Sequence, residues 1–178
     1  MEECISVFDM LKIGVGPSSS HTLGPWRAAE RFLSELRAEK IVPKVTRIKV
    51  DLYGSLSLTG KGHATDLAIM LGLSGQDPEY IPVQNIAGIV ETIKSKKEII
   101  LGNEINIPFD FLNDIIFNKN FLPFHANGLT FTAFLENSKE YVATFYSIGG
   151  GFVVKEERIN AKKKIAIKCA FPYPINNA

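Results

Sequence analysis

The stretch "GLTFTAFLENSKEYVATFYSIGGGFVVKE", residues 128–156, decides the fold class. It reads as three strands, "GLTFTAFLE", "EYVATFYSI" and "GFVVKE", because β-branched and aromatic residues crowd each run. The polar "ENSKE" between the first two is a hairpin turn. Two shorter runs precede them, "EIIL" at 98–101 and "EINIPF" at 104–109. Upstream, "VTRIKVDLY" at 45–53 alternates Ile48, Val50 and Leu52 against Arg47, Lys49 and Asp51, the period of a half-buried strand, and stops at Gly54.

The remaining texture is helical. In "LGPWRAAERFLSELRAE", residues 23–39, Trp26, Ala29, Leu33 and Leu36 recur at spacings of three and four. Pro25 suits the first turn, and Thr22 is expected as the cap. "SLSLTGKGHATDLAIMLGL", 55–73, reads as two short helices interrupted at Thr59–Gly62. "NIAGIVETIKSKK", 85–97, is a further helix with Asn85 as its expected cap. "SVFDMLK", 6–12, is expected to form one or two helical turns capped by Ser6. Helices early and strands late predict an α+β domain with a mixed or antiparallel sheet rather than a doubly wound parallel one.

Length and composition bound the function. The 178 residues suit one domain, and 46% hydrophobic with 22% charged residues is ordinary for a globular chain. Twenty Lys+Arg against nineteen Asp+Glu leave +1, so no global field exists to hold nucleic acid or an anionic membrane. The basic run Lys162–Lys164 reads as a solvated turn. No apolar run approaches a membrane span and the N-terminus lacks a signal-peptide pattern, so a cytoplasmic location is expected. Cys4 and Cys169 are the only cysteines, too few for a four-thiolate zinc site or a cluster nest.

Chemistry-bearing residues gather in three polar, glycine-containing segments, each with one of the three histidines. "GVGPSSSHTLGP", 14–25, holds Ser18, Ser19, Ser20, His21 and Thr22 ahead of a helix N-terminus, where free N–H groups favour an anion such as a carboxylate. "LTGKGHATD" holds Lys61 and His63, with Asp66 three residues on and able to orient the ring on a helix. "PFHANGL" holds His125 and Asn127 at the mouth of a strand. Gly54–Gly62 lacks the spacing and the hydroxyl of a phosphate loop, and no nucleophile elbow supports a Ser-His-Asp triad. The three histidines do not have the spacing of a compact metal motif, so no metal ligand is assigned.

The segments "FDMLKIGVGPSSSHTLGPWRAA", "VDLYGSLSLTGKGHATDLAIMLGL", "LPFHANGLTF" and "YSIGGGF", in that order, closely resemble the N-terminal (beta) portion of the iron-sulfur L-serine dehydratases from about residue 6 to residue 155. Leu23, Trp26 and Ala126 depart from that pattern at flanking positions. The resemblance implies a lyase that converts L-serine to pyruvate and ammonia with a [4Fe-4S] cluster. The cluster cysteines belong to the catalytic (alpha) portion, absent here, so this chain alone is expected to be inactive. It implies residues 1–160 as the beta domain and 161–178 as a linker toward the alpha domain or subunit. The break at "CAFPYPINNA" favours a truncated piece of a longer protein. A homodimer is also expected. The fold is expected to be similar to the allosteric substrate-binding domain of some phosphoglycerate dehydrogenases, which gives a second reading, a regulatory serine-binding module.

On the first reading one of His63 and His125 is the base and the other orients substrate or protonates the departing hydroxide, which does which being unassigned. Ser18, Ser19, Ser20, His21, Thr22, Lys61, Asn127 and Gly150 bind substrate, and Gly149–Gly151 let backbone come close.

Overall fold

The computed structural model describes residues 18–60 and 64–157 of the chain. The helical turns expected at 6–12, Lys61, His63, the Lys162–Lys164 run, both cysteines and the segment 161–178 lie outside the described residues.

After a π-helical turn, Ser19–Leu23, helix α1 runs Gly24–Ala38 with Pro25 in its first turn. Its buried stripe contains all four residues expected from the spacing, plus Ala28 and Phe32 between them. The helix ends where Lys40 takes φ 56° and the Ile41 N–H reaches back to the Leu36 carbonyl at 3.0 Å. Strand β1, Val45–Leu52, follows, then the short helices α2, Ser55–Thr59, and α3, Thr65–Leu73. Helix α4 runs Val83–Lys96, so its cap is Pro82 and not Asn85. Pro82 fixes extended backbone, φ −64° and ψ 125°, and the chain turns helical two residues before the polar residue that suggested a start.

Strands β2, Glu98–Leu101, and β3, Ile105–Pro108, form a separate two-stranded antiparallel sheet. Helix α5, Phe111–Asp114, leads into β4, Ile115–Phe117, and then come β5, Gly128–Leu135, β6, Glu140–Gly149, and β7, Phe152–Lys155. The main sheet has the order β4-β1-β5-β6-β7; β4 runs parallel to β1 and every other pair is antiparallel. The fold is therefore α+β with a mixed sheet, as the element order predicts. Strand β4, three residues long, was not foreseen. It is held beside β1 by buried Asp114, which accepts from Arg47 at 2.7 Å and from the Asp110 N–H at 2.7 Å.

Period-two alternation assigns the faces of the sheet. Ile48, Val50 and Leu52 on β1, Leu129, Phe131 and Ala133 on β5, and Ala143 and Phe145 on β6 are buried together. Phe32 from α1 stacks on Phe131 with ring centroids 4.9 Å apart, and Phe131 meets Phe145 edge-on at 5.9 Å. The other face carries Lys49, Asp51, Thr130, Thr132 and Thr144, with the Thr130 and Thr144 hydroxyls 2.9 Å apart.

The register places the functional segments. Leu52 pairs with Phe117 and Leu129, and Gly128 pairs with Tyr146. The ends of β1 and β4, the start of β5 and the end of β6 therefore share one edge of the sheet, and the loops leaving them meet there.

Candidate active site

The serine-rich segment reaches that edge as a π-helical turn, and two residues explain why it is not α-helical. In an α-helix the Gly24 N–H would bond the Ser20 carbonyl. Here buried Ser147, at the end of β6, donates its hydroxyl to that carbonyl at 2.8 Å, and the Gly24 N–H goes one residue further back to Ser19. Next along the chain, Pro25 has no N–H to offer the His21 carbonyl. That carbonyl accepts instead from the buried Thr65 hydroxyl at 2.6 Å. Thr22 is not a capping acceptor: its hydroxyl donates back to the Ser18 carbonyl at 2.5 Å, Ser18 stands at the cap of the π-helical turn, and Leu23 stands at the cap of α1. Both ties bind the turn to neighbouring elements, Ser147 to the sheet and Thr65 to the start of α3 beside the undescribed 61–63 segment.

His21 is half-buried and clamped by hydroxyls. Its Nδ1 lies 2.9 Å from Ser20 Oγ and its Nε2 lies 3.0 Å from Ser55 Oγ. Ser18 Oγ stands 3.4 Å from Ser20 Oγ, and Ser19 is exposed. Ser55 starts α2 after Gly54, whose φ of 55° and ψ of −126° suit only glycine. A Cβ on Gly54 would stand 2.3 Å from the Ala126 carbonyl oxygen. That close approach lets the Ser55 N–H donate to the Ala126 carbonyl at 2.8 Å and the Gly54 N–H to Asn120 at 2.9 Å.

The His125 loop therefore lies against α2. The Asn127 N–H donates to His125 Nδ1 at 3.1 Å, so the neutral ring carries its proton on Nε2. Asn127 is buried; its Nδ2 donates to the Ser147 carbonyl at 3.2 Å, while the Ser147 N–H donates to the Asn127 carbonyl at 2.9 Å. Gly149, Gly150 and Gly151 all take positive φ in the turn to β7, and a Cβ on Gly151 would stand 2.6 Å from Leu23 Cδ2. The glycine turn thus packs against the π-helical turn. Beside this edge Phe124 rests edge-on over Tyr146 at 5.0 Å, and Leu58, Phe121 and Ile148 are exposed. Burial, reinforced by the charge of Glu156, which accepts from the Tyr146 hydroxyl, pushes the Tyr146 pKa up to about 12.

Of the residues expected from sequence, Ser18, Ser20, His21 and Thr22 are tied through Ser55 and Ser147 to the loop of His125 and Asn127, and through Thr65 to the start of α3. Gly150 lies in the adjoining turn. His63 and Lys61 are outside the described residues, although Thr65, two positions past His63, is bonded to His21. Sequence reading missed Ser55, Thr65 and Ser147, hydroxyl residues inside the quoted motifs. Each signal was local: Ser55 follows a strand-ending glycine, Thr65 is the second residue after His63, and Ser147 precedes the triple glycine.

Two grooves lie elsewhere, one of about 730 Å³ between α4 and the β2–β3 hairpin and one of about 350 Å³ beside Arg27 and Arg37. Neither is lined by the serine–histidine set. Among the described residues no group of three or more His, Cys, Asp or Glu is placed to hold a metal ion, so they do not fit a cluster site. No helix among them is long and apolar enough to cross a membrane.

The arrangement presents one wall of hydroxyl, imidazole and backbone groups, suited to hydrogen-bonding a small polar molecule and exchanging protons with it. Known proteins with the same sequence pattern share one described activity. The L-serine dehydratase of Haemophilus influenzae is 46% identical over 177 residues, 98% of this chain and 38% of that protein. L-serine dehydratase 1 of Escherichia coli is 42% identical with the same two coverages. The L-serine dehydratase of Streptomyces coelicolor is 44% identical over 96% of this chain and 38% of its own length. The chain thus spans under two-fifths of these relatives. The family model for the serine dehydratase beta chain matches residues 6–158, most of the sequence, and the chain belongs to that family.

Proposed function

We propose that this chain forms one wall of the active site of an L-serine dehydratase, which deaminates L-serine to pyruvate and ammonia. The facing wall belongs to polypeptide corresponding to what the relatives carry beyond the matched region. A [4Fe-4S] cluster is assigned to that catalytic alpha portion, and no step below runs through it.

The reaction removes the α-proton and the β-hydroxyl of serine as water, leaving an enamine that tautomerises and hydrolyses to pyruvate and ammonia. The protein must hold the carboxylate, accept one proton and give one to the departing hydroxide. His125 suits orienting the substrate, because the Asn127 N–H occupies Nδ1 and the neutral ring offers its Nε2–H as a hydrogen-bond donor to the hydroxyl or carboxylate. The base is then His63, whose imidazolium returns the proton it takes to the departing hydroxide. Ser18, Ser19 and Ser20 offer hydrogen bonds to the carboxylate and ammonium, and His21, its ring nitrogens on the Ser20 and Ser55 hydroxyls, holds Ser20 in place for that task. Thr22 and Asn127 support them from the frame, Lys61 balances charge, and Gly150 allows close backbone approach.

The observation that carries this reading is the meeting of the His21 and His125 segments on Ser55, which brings two of three histidine-bearing motifs to one edge. The family membership supplies the reaction. The test is complementation: the chain is mixed with the unmatched portion of the Haemophilus influenzae enzyme, bearing its assembled cluster, and pyruvate is followed. The mixture should turn over L-serine while the chain alone does not. Tight association without turnover would overturn the proposal and favour the regulatory module.

A further inference from the structure

We propose that Ser55 is a positioning residue: its hydroxyl fixes the His21 ring while its backbone registers that ring against the His125 loop. The inference rests on the dehydratase reading for its purpose, and on geometry alone for its existence.

Three observations carry it. First, the hydroxyl is not spent locally. Gly54 is the cap residue of α2, no side chain caps that helix, and Ser55 Oγ reaches across 34 positions of sequence to His21 Nε2 at 3.0 Å. Second, the ring is held at both nitrogens by hydroxyls, Ser20 at 2.9 Å and Ser55 at 3.0 Å. A hydroxyl donates or accepts by rotating its proton, so the clamp holds the ring in either neutral tautomer and when protonated. A carboxylate or an amide in either place would favour one state. The ring therefore keeps its place in each of these states, and with it the Ser20 hydroxyl and the serine turn that would face a substrate.

Third, the same residue fixes a second loop. The Ser55 N–H donates to the Ala126 carbonyl at 2.8 Å, one residue past His125, and Gly54 permits the approach because a Cβ would stand 2.3 Å from that oxygen. One residue thus sets the spacing between two imidazole-bearing segments, through its side chain on one and its main chain on the other.

The test uses histidine ring nitrogen and NOE spectra of the 178-residue chain, labelled at histidine. In the unaltered chain a cross-peak between the Ser55 β-protons and the His21 ring is expected; its absence would overturn the proposal without any variant. In Ser55→Ala the His21 ring nitrogens should move while those of His125 stay, because the backbone bond to Ala126 survives; Ser55→Thr should restore them. His21 resonances unmoved in a folded Ser55→Ala would also overturn it. In the two-part enzyme Ser55→Ala should raise KM for L-serine about tenfold, the effect of one lost partner, with kcat changed less than about twofold, and Ser55→Thr should recover KM. An unchanged KM would refute the positioning role. An inactive unaltered assembly would count against the dehydratase reading alone, since the spectra stand independently.

Discussion

The hydroxyl of Ser147 donates to the carbonyl oxygen of Ser20 across 2.8 Å, taking the acceptor that the Gly24 N–H would claim in an α-helix. A strand end thereby dictates the shape of a loop 127 positions away in sequence. Wide π-type turns of this kind recur at functional sites, where they aim side chains that a regular helix would turn aside.

Gly24 is the joint of that arrangement: a Cβ there would stand 1.9 Å from Ser147 Oγ and 2.7 Å from Ser147 Cβ. Gly24→Ala should destabilise the fold by about 2 kcal/mol through overpacking. Combining it with Ser147→Gly should recover part of that loss. Urea titration of the three variants checks this, and a neutral Gly24→Ala would refute it.

Gly54→Ala meets two obstacles at once, a positive φ and a carbonyl oxygen 2.3 Å from the new Cβ. The expected cost is about 3 kcal/mol, the sum of backbone strain and displacement of the Ala126 segment. Hydrogen exchange should show the Ser55 amide losing its protection, whereas Gly88→Ala, at a position with open space around it, should leave exchange at Ser55 unaltered.

Alkaline stability should depend on Tyr146, whose phenol is pushed up to about 12, chiefly by burial and further by Glu156. An unfolded tyrosine ionises near 10, so between the two values the folded chain keeps a proton that the unfolded chain loses. The stabilisation is complete below pH of about 10 and is lost as pH rises toward 12. Tyr146→Phe should remove this contribution to the slope; denaturation midpoints at pH 9, 10 and 11 would reveal it, and parallel slopes would contradict the assignment.

The His125 hydrogen bond makes a chemical prediction. If Nε2 is the donor, His125→Gln, which can present an amide N–H near that position, should retain more turnover in the two-part enzyme than His125→Ala. Equal losses would argue that the ring acts as a base.

The sequence displayed the sheet where its strands were long: Ile48, Val50 and Leu52 alternate over enough residues to leave no other period. Strand β4 has three residues, too few for any period, and forms because Arg47 and Asp114 draw it alongside β1. Helix boundaries misled at Thr22 and Asn85, where a polar side chain resembled a cap but tertiary bonds and Pro82 set the start. At the site the histidines and the serine run were visible as unusual composition. The residues that bring them together, Ser55, Thr65 and Ser147, were not, because a hydroxyl that bonds across the fold has no local signature.

The most direct test of the central claim is the rate of pyruvate formation from L-serine by the two-part enzyme carrying His63→Ala or His125→Ala, with the cluster's absorbance confirming assembly. The base and orienting roles predict a fall of about a hundredfold or more in each variant. Full turnover in both, with the cluster intact, would contradict the claim that these loops form the active-site wall.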